Sequence, residues 1–187
     1  MIIKILSLSL ALLSPLGLDW DKSHSTVPEV PDYTYYYGDI YFSPIVYIGR
    51  EDILGLETEI HLHITRHKIA KAVLILGPAG MDEYDCKRKY KEVVSFLSKK
   101  YGHYTHTSQI KEAEIEDLVF SAKCYPMMMG IETIRTHWRT PKYQIDASLL
   151  GDAEGLYIEV TYTDRNRIKK YTKDQESKII KKLSKEL

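Results

Sequence analysis

Residues 82–102, DEYDCKRKYKEVVSFLSKKYG, decide how the rest of the chain is read. Asp82 is placed to cap a helix, and Glu83 and Asp85 add acidic groups at the positive end of its dipole. Cys86, Tyr90, Val93, Val94, Leu97 and Tyr101 recur at three- and four-residue intervals and form one apolar face. Lys87, Arg88, Lys91, Lys99 and Lys100 fall elsewhere, and Gly102 supplies the stop. A helix with such a stripe needs an apolar surface to lie on, and the flanking sequence offers a sheet.

Upstream, Ile60, Leu62 and Ile64 alternate with His61, His63 and Thr65, the pattern of a strand with one dry and one wet face. Arg66, His67 and Lys68 make a polar turn. Ala70, Ala72, Leu74 and Leu76, with Val73 and Ile75 between them, predict a central strand covered on both faces. Downstream, 103–123 is polar and loosely patterned, 131–138 and 143–150 read as strands, and GDAEG at 151–155 is a turn. Leu156, Ile158, Val160 and Tyr162 then face inward, with Tyr157, Glu159 and Thr161 outward. Thr172 with Gln175 resembles a capping box ahead of the stripe Ile179, Ile180 and Leu183. The stretches 57–101 and 142–186 thus each read strand, turn, strand, helix. The expectation is an α+β fold: one antiparallel sheet built from two hairpins, each followed by a helix, with the helices packed on one sheet face.

Residues 1–25 have the layout of an export signal, with Lys4 ahead of an apolar run from Ile5 to Leu18 that is too short to span a bilayer. Cleavage is expected before Thr26. Residues 26–56 read as an extended Tyr- and Pro-rich lead-in, in which 27–39, with Pro28 and Pro31, is an extended segment or edge strand and 40–48, with Pro44, an irregular or edge strand; 57–187 reads as a single domain. Of 187 residues, 44% are hydrophobic and 28% charged, the balance of a globular protein. Basic and acidic residues number 26 each, so net charge argues for neither nucleic acid nor an acidic substrate. The basic excess of the 165–187 tail is that of a solvated helix face. Tyrosine stands out at 15 residues against 3 phenylalanines, and suits half-wet strands and interfaces.

Cys86 and Cys124 are the only cysteines, and in an exported chain they predict a disulfide. It closes a loop of about 39 residues, worth roughly 3–4 kcal/mol in the chain-entropy model. His61 and His63 share one strand face and are the candidate metal ligands, with His103 or His106 able to complete a site if the following loop folds back. Gly77-Pro78-Ala79-Gly80 lacks the lysine and hydroxyl residue of a phosphate loop, and the acidic residues after it repel an anion.

KKYG at 99–102 closing an amphipathic helix, then Trp138, then the strand pair ending in IEVTY at 158–162, resemble small exported bacterial α+β proteins of uncharacterised function. The resemblance covers about residues 57–163, implies a location outside the cytoplasm, and carries over no functional residue. The expected function is a non-catalytic binding or interaction module, periplasmic or extracellular. Tyr35, Tyr36, Tyr37, Tyr41, Trp138 and Tyr157 are its candidate contacts, and another envelope or extracellular protein is its partner. No cofactor and no nucleic acid are expected, and membrane contact only through an uncleaved signal. The alternative is a small hydrolase or metal-dependent enzyme built on the His61/His63 strand.

Overall fold

A computed structural model describes residues 15–22, 34–39, 43–77, 80–82, 84–111, 124–152 and 155–186. Alternating residues do form the strands foreseen, and more strands join them. They are β1 (Thr34–Asp39), β2 (Ser43–Ile53), β3 (Leu56–Thr65), β4 (Lys68–Leu76), β5 (His106–Lys111), β6 (Glu132–Arg139), β7 (Tyr143–Asp152) and β8 (Gly155–Asp164). The helices are α1 (Cys86–Tyr101), the single turn α2 (Tyr125–Met128) and α3 (Arg165–Glu186). The eight strands among the described residues belong to one sheet in the order β1-β2-β3-β4-β8-β7-β6-β5, with every neighbouring pair antiparallel.

This corrects the α+β expectation. The two predicted hairpins are only the inner halves of two four-stranded meanders, which meet at the β4–β8 seam. The sheet dominates, and the helices do not form a layer across it: α1 lies on β7 and β8, and α2 sits at β6, β7 and β8. The strand not foreseen is β5, HTSQIK, which carries almost no apolar alternation because it ends the strand order. The prolines around β1 and β2 made both read as edge or irregular pieces outside the domain, yet only β1 ends the strand order and β2 is paired on both sides. Consequently residues 34–39 and 43–53, read as part of a lead-in, belong to the sheet itself.

Turn chemistry sets the register. Leu54 and Gly55 both take positive φ, and Asp52 Oδ1 accepts the Gly55 N–H at 3.0 Å, giving a two-residue hairpin turn between β2 and β3. Arg66 and His67 do the same between β3 and β4 with φ of 50° and 63°, where L side chains are disfavoured. Helix α1 starts three residues later than a cap at Asp82 implies. Asp82 Oδ1 instead accepts the Tyr84 N–H at 2.7 Å in a preceding turn, and Asp85 is the N-cap residue. The last helix also begins earlier than the Thr172/Gln175 pair: Asp164 Oδ1 accepts from the N–H groups of Asn166 and Arg167 and caps α3.

One face of the sheet is packed. Trp138, Ile145, Tyr162 and Ala72 form one buried row across β6, β7, β8 and β4, and the half-buried Ile134 with the buried Leu149, Ile158 and Leu76 forms another. The stripe of α1 lands here, with Cys86, Tyr90, Val93 and Leu97 buried. Tyr90 Oη is hydrogen-bonded to Thr136 Oγ1 at 2.8 Å and donates to the Ala147 carbonyl at 2.9 Å, and burial pushes its phenol up to about 12. Gly151 is small for cause: a Cβ there would meet the Met127 carbonyl oxygen at 2.4 Å, so α2 can sit against β7. Cys86 and Cys124, Cα atoms 6.5 Å apart and both fully buried, are joined by a disulfide that ties α1 to α2.

Residues 15–22 dock against the same face. The buried Trp20 meets Tyr143 edge to face at 5.1 Å, and its Nε1 donates to the Pro15 carbonyl. Among the described residues no helix is long and apolar enough to cross a membrane.

Candidate functional site

The opposite face of the sheet carries the polar and titratable groups. Period-two alternation puts the intervening residues of every strand there, and the ladder aligns them into rows. One row crosses seven strands: Ile48, His61, Val73, Thr161, Asp146, His137 and His106. Beside it run Arg50, Glu59, Ile75, Glu159, Ser148, Arg135 and Ser108. A third row holds Val46, His63, Lys71, Thr163, Gln144 and Arg139.

Two carboxylate–imidazole pairs stand out. Glu59 Oε1 meets His61 Nε2 at 2.5 Å on β3, and Arg50 approaches the other oxygen of Glu59 at 3.6 Å. Asp146 Oδ1 meets His137 Nδ1 across β7 and β6, while Gln144 donates to the other Asp146 oxygen at 3.0 Å. His106 on β5 stacks over His137 with ring centroids 6.1 Å apart. Asp146 and His137 lie three and four strand spacings from His61, about 14 and 19 Å at the usual strand spacing, so the two pairs cannot act on one small substrate atom. Both remain within reach of solvent, with His61 24% and His137 34% exposed. Charges of both signs and half-buried apolar groups (Ile48, Ile75, Leu150 and Tyr157) share this face.

His61 and His63 do share a face, as alternation demanded, yet their surroundings differ. His61 is engaged by Glu59, whereas burial, then Lys71 and His61 nearby, push His63 down to about 4, so its ring is neutral at pH 7. The loop after α1 does fold back, but as β5 at the far end of the strand order, which carries His106 away from His61 and His63. Among the described residues no three metal-ligating side chains come together.

The tyrosine candidates divide. Tyr157 is half-buried on the polar face beside Leu150. Tyr35, Tyr36 and Tyr37 lie on β1 at the end of the strand order, with Tyr35 opposite Tyr47 and Tyr37 opposite Val46. Tyr41 falls outside the described residues. Trp138 is 1% exposed on the packed face, against Tyr104, so it is a core residue and not a contact. Reading the sequence missed Glu59, His106, His137 and Asp146 as neighbours. A signal was present: Asp146 occupies the outward phase of a predicted strand, where aspartate is depleted. The pairing of β6 with β7 that brings His137 beside it is a tertiary fact.

Scans of this chain against protein-family models, curated proteins and solved structures each return no match, so its site stands on its own geometry.

Proposed function

We propose that this chain is an exported, non-catalytic binding protein that engages another envelope or extracellular protein through the polar face of its sheet. The observation that carries this reading is the composition of that face. Tyr157, Ile75 and Ile48 supply partly covered apolar surface, and the exposed Arg50, Arg135 and Arg139 surround it together with Glu59, Glu159 and Asp146. Tyrosine and arginine are the residues that most often dominate protein–protein binding energy. Mixed charge favours a partner of complementary pattern over a uniformly charged polymer. The buried Cys86–Cys124 disulfide accords with an oxidising compartment.

The test is differential capture from a native envelope fraction using wild-type protein, a Tyr157→Ala/Arg135→Glu variant and a Lys91→Glu control on the outward side of α1. A partner held by wild type and control but lost by the face variant supports the reading. Identical retention by all three ends it. A hydrolytic or metal-dependent reading on His61 and His63 has one observation in its favour, the Glu59–His61 contact, which is of the kind that orients a general base. It requires ester hydrolysis that falls with His61→Ala, or a melting temperature raised by zinc, copper or nickel. Neither effect appearing would dispose of it.

A further inference from the structure

We infer that the export signal ends upstream of Leu18 and that residues 18–22 stay on the mature protein as a structural strap. The inference rests on the export reading and alters where the chain is cut. A signal peptide is a segment that the folded protein does without, so the residues it contains should make no indispensable contacts. Residues 18–22 do the reverse. Trp20 is 1% exposed, a member of the main core, and stacks edge to face on Tyr143. Arg167 donates from Nη1 to the carbonyls of both Trp20 and Ile69, the latter at 2.7 Å, so one guanidinium bridges this segment, the start of β4 and α3. Its Nη2 also pairs with Asp21, whose other oxygen takes Lys142 Nζ at 2.6 Å. Asp19 Oδ1 accepts the Asp21 and Lys22 N–H groups and shapes the turn that points Trp20 inward.

Cutting before Thr26 would remove all of this at once. It would uncover Tyr143 and leave the half-buried Arg167 with two fewer partners. Burying a charged group with its partners removed is strongly unfavourable, as is emptying a tryptophan-sized volume of the core. Small residues that a signal peptidase accepts at its cleavage position also stand upstream, at Ser14 and Gly17. A cut after Ser14 keeps the whole docked segment, and one after Gly17 keeps residues 18–22 while giving up the Trp20 Nε1 hydrogen bond to the Pro15 carbonyl.

The experiment expresses the full chain with its own N-terminus in a bacterial host, fractionates the cells, and reads the mature end by intact mass and N-terminal sequencing. A start between residues 15 and 18 in the exported fraction is expected. A start at 26, with export complete and the Cys86–Cys124 bond formed, overturns this inference alone. An uncut chain held in the cytoplasm overturns the export reading and this inference with it. Stability supplies an independent arm. Full-chain Trp20→Ala should melt about 10 °C or more below wild type, with Trp20→Phe recovering part of the loss. An unchanged melting temperature in Trp20→Ala contradicts the strap.

Discussion

At His63 a single side chain couples fold to pH. Its folded-state value of about 4 lies below the 6.5 of an unhindered imidazole, first because of burial and then because Lys71 and His61 stand close. Between those two values the unfolded chain binds a proton that the folded chain does not, so stability rises with pH across that window. The contribution is complete above pH 6.5 and is lost as pH falls toward 4. The shift corresponds to about 2 kcal/mol once partial solvent contact is allowed for. Urea unfolding at pH 7 and at pH 4.5 measures it: His63→Asn should show a smaller loss on acidification than wild type by that amount. Equal losses would mean that His63 is not the group responsible. The position of His63 on the wet side of β3 was legible from alternation, whereas its neutrality was not. Lys71 reaches it only because β4 pairs back with a register shift after His63.

Among the elements, the turns show where local chemistry and global fold disagree. The β2–β3 turn has the preferred glycine, Gly55, at its second central position. The β3–β4 turn places Arg66 and His67 in left-handed backbone without one, and Arg66 pairs with Asp174 of α3. That pairing gives Arg66 a tertiary role; His67, half-buried, has a conformational cost that glycine avoids. His67→Gly is expected to stabilise the protein by about 0.5–1 kcal/mol, read as a higher urea midpoint with an unchanged m-value. A lower midpoint would show that His67 makes contacts worth more than its strain. Helix α1 was readable because its stripe obeys the helical period, and its buried residues are those the period selected. The start of α3 was not, because its cap, Asp164, is the final residue of a strand whose alternation continues up to it.

For the whole molecule, one core on one face of one sheet implies one cooperative unit. The β4–β8 seam joins the meanders through six paired residues, and α1, which follows the first meander, packs on strands of the second. Neither half therefore has its own core. Far-ultraviolet dichroism, which sees every strand, and tryptophan fluorescence, which sees Trp20 and Trp138 on the packed face of the second meander, should give coincident denaturant transitions. Separate midpoints would show that the meanders fold independently. The Cys86–Cys124 bond adds to this unity: replacing both with serine should cost about 2–5 kcal/mol without splitting the transition.

The sequence by itself determined the periods: the α1 stripe, the inward phases of β3, β4, β7 and β8, and the cysteine pair that becomes a disulfide. These follow from burial along a single element, where spacing alone says which side chains share a face. Only the tertiary structure decided strand order, the sheet-dominated character of the fold and the company each outward residue keeps. Glu59 with His61 lies two residues apart on one strand, but Asp146 with His137, His137 with His106, and Trp20 with Tyr143 are neighbours only across strands or from distant chain. Such pairings depend on register and on which meander meets which, and no local period encodes them.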